Sequence, residues 1–148
     1  IDDITTAEAL KNNVVAIDVF LAEALASGQL KGQFVSKSKE VFLHGHCHQK
    51  ATFGTSGMKS IYNSISDVLC YEPDSGCCGM AGSFGYESEH YDVSKKISEL
   101  VLIPEINKLT PDTQIVASGF SCRHQIHDFA GKKAIHWLES VEFVRLTI

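Results

Sequence analysis

Four cysteines are the residues of this chain best equipped for chemistry: Cys47 in HGHCHQK, the adjacent pair Cys77 and Cys78 in DSGCCGMAGSFG, and Cys122 in ASGFSCRHQ. Thiolates select zinc, Cu(I) or iron–sulfur clusters over harder ions. Structural zinc sites usually bring two tight CxxC knuckles. No CxxC is present here: 29 residues separate Cys47 from Cys77, and 43 separate Cys78 from Cys122. An adjacent pair does not easily turn both sulfurs toward one tetrahedral ion, but it can reach two irons of a cluster. The spacing therefore favours an iron–sulfur cluster. The alternative is a structural zinc module, with Cys47, Cys77, Cys122 and one histidine as ligands, that docks neighbouring domains. A thiol–disulfide function ranks last, because a vicinal disulfide is strained.

The neighbours of these cysteines sort into helpers and bystanders. Gly76, Gly79, Gly82 and Gly85 allow positive φ and close backbone approach to a bound group. Their N–H groups can point at sulfur and tune a reduction potential. His46 and His48 flank Cys47, and His124 lies two residues after Cys122. Each can serve as an alternative ligand, a proton donor or a substrate-binding group, or simply satisfy loop backbone. His44 reads the same way. Arg123 could neutralise a cluster or a substrate carboxylate. Cys70, in the apolar run VLCY, is expected to pack in the core. Ser83 reads as a helix cap. His90, His127 and His136 read as structural or surface residues, and Trp137 as core. The run GMAGSFG matches no GxGxxG or Walker pattern, so nucleotide binding is set aside.

These motifs need elements to hold them. Ile4, Ala7, Leu10, Val14, Ile17, Leu21, Ala24 and Leu25 recur at helical spacing and predict one N-terminal helix, capped by Thr5 or Thr6 and ended by Gly28. Strands are predicted at 41–45, 67–71, 113–118 and 134–136. Helices are predicted over 49–64, over 86–109 with a stop near Pro104, from 121 to Gly131, and at the C-terminus. Each cysteine segment follows a strand and precedes a helix. If the strands are parallel, their carboxyl ends share the edge where open α/β sheets bind ligands. The expected fold is α/β, three-layered, with a mostly parallel sheet of about four strands flanked by helices and preceded by an N-terminal helix.

The bulk properties narrow the class further. A chain of 148 residues suits one compact domain. A net charge of -5 without a Lys/Arg cluster argues against nucleic acid. No apolar run reaches the ~18 residues of a membrane span. Five cysteines, an odd number, suit reduced thiols in a cytoplasmic setting. Beginning at Ile1, the chain reads as part of a polypeptide that continues upstream.

DSGCCGMAGSFGYE, with HGHCHQK before it and SGFSCRHQ after it, resembles the cysteine-rich CCG domain over roughly residues 40–140. That family includes the heterodisulfide reductase B subunit and the iron–sulfur subunits of glycolate oxidase and anaerobic glycerol-3-phosphate dehydrogenase. The likeness is strongest to the C-terminal module of FAD-linked oxidase and iron–sulfur fusion proteins. It implies a CCG domain at 40–148, with 1–39 as an N-terminal helix and junction. It also implies Cys47, Cys77, Cys78 and Cys122 as ligands of a cluster, expected to be [4Fe–4S], with Gly79, His46, His48 and His124 around it. FAD and ferredoxin-like domains upstream, a quinone or other acceptor, and a cytoplasmic place that can include the inner membrane face follow from the same likeness. One departure stands out. The family often ends in CxxC, and Gly119 occupies its first position here, which makes an unusual noncubane cluster harder to support.

Overall fold

The computed structural model describes residues 3–146. The chain opens with two helices, α1 (Ile4–Asn13) and α2 (Ile17–Ala26), followed by strands β1 (Gly32–Ser36) and β2 (Glu40–His44). Helices α3 (Cys47–Thr52) and α4 (Ser56–Asn63) lead to β3 (Leu69–Tyr71). A cysteine-bearing loop then reaches a short 3-10 turn at Phe84–Tyr86, and α5 (Tyr91–Ser98) and α6 (Leu102–Asn107) follow. The rest is β4 (Gln114–Ala117), α7 (Phe120–Ala130), β5 (Ala134–Ile135), α8 (Trp137–Ser140) and β6 (Val141–Arg145).

The expected parallel sheet is present, in the order β3-β2-β4-β5 with every pair parallel. From β2 the chain steps to β3 on one side, then crosses back to β4 on the other. The carboxyl ends of β2 and β4 thus form a topological switch point, where such sheets open a ligand crevice. Both central strands are almost wholly buried, as a sheet covered on two faces requires.

Side chains alternate across the sheet. Val41, Leu43 and Val116 face one core with Met58, Ile61, Tyr62 and Trp137. Phe42, Ile115 and Ala117 face the other with Leu102, Ile106, Ile126, Cys78 and Cys122. On the first face α4 lies tight against α2, because a Cβ on Gly57 would sit 2.7 Å from the Asp18 backbone.

Several boundaries differ from the sequence expectation. The N-terminal helix is two helices, split by extended backbone at Val14–Ala16, and its cap is Asp3, which accepts from the Thr5 N–H at 3.0 Å. None of the residues of α1 is buried, so its apolar stripe stays uncovered by the described residues. The helix expected over 49–64 is broken at Gly54, where φ is +74°. The one expected over 86–109 is a 3-10 turn and two short helices. Pro104 lies in the first turn of α6, where its missing N–H costs no intrahelical bond, so it helps begin a helix and does not end one. Val93 and Leu100, expected on the apolar face, are exposed, and Ser94 and Ser98 are buried instead.

The expected C-terminal helix is the four-residue α8, capped by His136 and Glu139 in a capping box. The chain then extends into β6, antiparallel to β1, with Phe34 opposite Phe143. Their rings meet edge to face with centroids 5.2 Å apart. This two-stranded sheet fastens the segment before residue 40 to the chain's other end. Among the described residues, no helix is long and apolar enough to cross a membrane.

Candidate metal centre

Three loops carry the cysteines to one edge of the sheet. Cys47 is the first residue of α3, just beyond β2; Cys77 and Cys78 follow β3; and Cys122 lies in the first turn of α7, just beyond β4. Cys78 and Cys122 are buried, and Cys47 and Cys77 are half-buried toward solvent. All four are close enough to act on one another. Cys47, Cys77 and Cys78 all make it harder for Cys122 to lose its proton, and Cys78 and Cys47 do the same to Cys77.

The electrostatics separate the thiols. Cys122 donates to Cys78, which holds Cys78 below the ordinary thiol range against the opposing effect of burial; the Met80 N–H adds to this. The same bond, with burial, drives Cys122 up. Cys77 is raised chiefly by burial, although the Gly79 N–H donates to its sulfur at 3.3 Å. Of these thiols, Cys78 is the one whose surroundings favour the thiolate.

Away from this edge, Cys70 is raised to about 11 by burial and then by the charge of Glu72. It packs against the core of the α2/α4 face. The expectation of a packing role agrees with that position.

The loop that carries the pair is built around Gly79, at φ +99°. A Cβ there would lie 2.2 Å from the Ser94 carbonyl oxygen of α5. No other residue type fits this approach. Gln125 of α7 locks the contact: its buried amide donates to the Cys78 carbonyl at 3.0 Å, the Ser94 carbonyl at 3.2 Å and Ser94 Oγ at 2.9 Å. This explains why α5 buries serines. Larger side chains would push the loop off the helix.

His44, the last residue of β2, shares the sheet face of Phe42 and has no solvent exposure. One of its ring nitrogens lies within 4.8 Å of both Cys78 Sγ and Cys122 Sγ, which are themselves within that distance of each other. Its Nδ1 is paired with Ser75 Oγ at 3.0 Å, while its Nε2 has no hydrogen-bond partner. The sequence reading left His44 open between ligand, proton donor, substrate-binding group and loop, and it did not find Ser75 or Gln125. Strand parity was the available signal, because residue 44 must lie on the same face as Phe42.

The other expected neighbours are arranged differently. His46 caps α3 and packs against Gly119, where a Cβ would meet the His46 ring at 2.5 Å and Cys122 Sγ at 2.8 Å. His46 and His48 line a groove of about 290 Å³ beside the cysteines, with Gln49, Gly119, His136 and Trp137. His124 is exposed on α7, hydrogen-bonded to the Tyr86 hydroxyl at 3.1 Å and packed against Phe120. Arg123 donates to the Ala117 and Ser118 carbonyls at 2.9 Å, which engages it at the end of β4.

Buried thiols, a thiolate already favoured and an unpaired buried imidazole nitrogen together fit a soft metal. The fold and this edge define an α/β domain with a soft-metal donor set at the switch point of its sheet. No family model matches the chain, and no solved structure matches it. Its sequence is similar to D-2-hydroxyglutarate dehydrogenase of Pantoea ananatis, with 31% identity over 130 residues, covering 87% of this chain and 12% of that protein. The Pseudomonas putida protein of the same name is 31% identical over 101 residues, covering 67% of this chain and 10% of that protein. The Escherichia coli one is 26% identical over 130 residues, covering 87% and 12%. The chain thus spans about a tenth of the length of the relatives it matches, and it is related to a segment of 2-hydroxy-acid dehydrogenases.

Proposed function

We propose that this chain is the electron-transfer module of a larger FAD-dependent 2-hydroxy-acid dehydrogenase, and that Cys47, Cys77, Cys78 and Cys122 hold an iron–sulfur cluster of the [4Fe–4S] type in a CCG domain. The observation that carries the reading is the gathering of four cysteines from three separate strand ends at the switch point of a parallel sheet. The relatives' printed activity supports the substrate class, D-2-hydroxyglutarate or a similar hydroxy acid. In this reading a flavin elsewhere in the polypeptide takes the substrate's electrons, a ferredoxin-like domain relays them, and a quinone or comparable acceptor receives them in the cytoplasm or at the inner membrane face.

A bound cluster stores and passes single electrons. The chain's own residues set its surroundings. Burial of Cys78 and Cys122 excludes water on the inner side. The Gly79 N–H on Cys77 and the Met80 N–H on Cys78 stabilise negative sulfur, which raises a reduction potential. The groove lined by His46 and His48 leaves the outer side open to a partner.

A structural zinc module is the second reading, favoured by one observation: His44, Cys78 and Cys122 converge closely enough to bind a single ion. Anaerobic reconstitution with iron and sulfide, followed by metal analysis and EPR of the reduced protein, separates the two. Near-stoichiometric iron and sulfide, lost in Cys78→Ser and Cys122→Ser but kept in Cys70→Ser, is the expected result. Tight zinc without a cluster selects the structural module.

A further inference from the structure

We infer that His44 is itself a metal ligand, giving the centre a mixed imidazole–thiolate donor set in which Ser75 fixes the ring. This rests on the metal-binding reading above, and it adds a donor that the four-cysteine set lacks. The geometry carries it. A ligating histidine usually donates its other ring N–H to a second group, which fixes tautomer and orientation. Here Nδ1 meets Ser75 Oγ at 3.0 Å, and Ser75 is itself buried. With the proton on Nδ1, Nε2 presents a lone pair. That nitrogen is fully buried and has no hydrogen-bond partner, whereas buried polar atoms are nearly always paired. The ring also lies within 4.8 Å of Cys78 Sγ and Cys122 Sγ. Two buried thiols and one nitrogen of this ring thus lie within 4.8 Å of one another.

Ser75 is held in turn. Its carbonyl accepts from Lys50 Nζ, and Lys50 extends from α3, the helix that Cys47 begins. The ring, its anchor and one cysteine loop are thereby tied together before any metal binds. A neutral imidazole leaves the centre less negative than a thiolate at the same position would, and histidine ligation raises the potential of clusters that have it. The centre should therefore accept electrons more readily than an all-cysteine one.

The test begins with iron-free protein titrated with Co²⁺ and read by X-ray absorption and d–d spectra. Mixed sulfur and nitrogen ligation in the wild type is expected, with affinity falling by about 100-fold or more in His44→Ala and by roughly 10–100-fold in Ser75→Ala. All-sulfur ligation that His44→Ala leaves unchanged overturns the assignment. In protein reconstituted with a cluster and labelled with ¹⁵N-histidine, pulsed EPR should show a directly bound nitrogen that persists in His46→Ala and His48→Ala. Absence of that coupling overturns the assignment without any variant needing to fold. His44→Cys should lower the midpoint potential while keeping the metal. If iron never assembles yet cobalt shows the histidine nitrogen, the cluster reading fails and the His44 ligand stands.

Discussion

The two faces of one sheet do different work. Toward α2 and α4, Val41, Leu43 and Val116 meet Met58, Ile61, Tyr62 and Trp137, an apolar layer with no solvent access. Toward α5, α6 and α7 the same strands meet Phe42's neighbours Ile106 and Ile126. Beside them lie Cys78, Cys122, His44, Ser94 and Gln125, all buried. The first face stabilises the domain by excluding water. The second accepts the cost of buried polar groups, His44 Nε2 left unpaired among them, to keep soft donors at one edge. Stability and metal binding should therefore be separable by substitution.

The largest expected effect falls on the first face. Ile61→Ala should destabilise the domain by about 2–5 kcal/mol, the cost of deleting buried methyl groups and leaving a cavity. The folded fraction should still bind its full complement of metal. Denaturant unfolding of the metal-free protein, set beside metal stoichiometry at low denaturant, checks both halves. Loss of metal from fully folded Ile61→Ala would falsify the separation.

Much of this division can be seen in the sequence. The runs VFLH and QIVA are short, β-branched or apolar, and each stops just short of a cysteine segment, so sheet, strand order class and cysteine edge can all be anticipated. His44 was harder to single out, because it reads like His46 and His48 until strand parity sets it beside Phe42. The paired strands 32–36 and 141–145 escape notice because their partners stand at opposite ends of the chain, and alternation in GQFVS is weak without one. The region 86–109 misleads for a physical reason. Val93 and Leu100 supply helical periodicity but face solvent, while Ser94 is buried where the cysteine loop comes too close for anything larger. The apolar stripe of α1 likewise predicts helix, yet among the described residues it stays unburied.

A smaller effect, on the second face, should show the reverse balance. Gly79→Ala forces a non-glycine residue to φ +99° and places its Cβ 2.2 Å from the Ser94 carbonyl. The backbone strain alone costs about 1–3 kcal/mol. The larger consequence is displacement of Cys77 and Cys78, with metal affinity lost out of proportion to stability. Gly76→Ala is the control, since a Cβ there meets nothing within 4 Å. Metal content after reconstitution should fall steeply in the first variant and hardly at all in the second. Equal metal content in both would mean that the loop tolerates a shift, and the two faces would then differ less than their packing indicates.

The smallest effect lies at the seam where β3 leaves the sheet, and it is read by pH. Burial pulls the Glu72 carboxyl upward, but this is outweighed. Lys59 at 2.9 Å, the Thr55 hydroxyl at 2.7 Å and the more distant Lys50 leave it below the ordinary glutamate value of 4.5. A carboxyl whose pKa is lower folded than unfolded stabilises the fold at pH above the unfolded value. That stabilisation is lost as pH falls through the lower, folded value. Glu72→Gln should therefore reduce stability near neutrality by at most about 1 kcal/mol and flatten the decline below about pH 4.5. Because Glu72 also contributes to raising Cys70, the Cys70 thiol should alkylate at somewhat lower pH in the variant. Metal binding on the other face should not respond. A change in metal affinity with Glu72→Gln would couple the seam to the cysteine edge through Lys50 and Ser75.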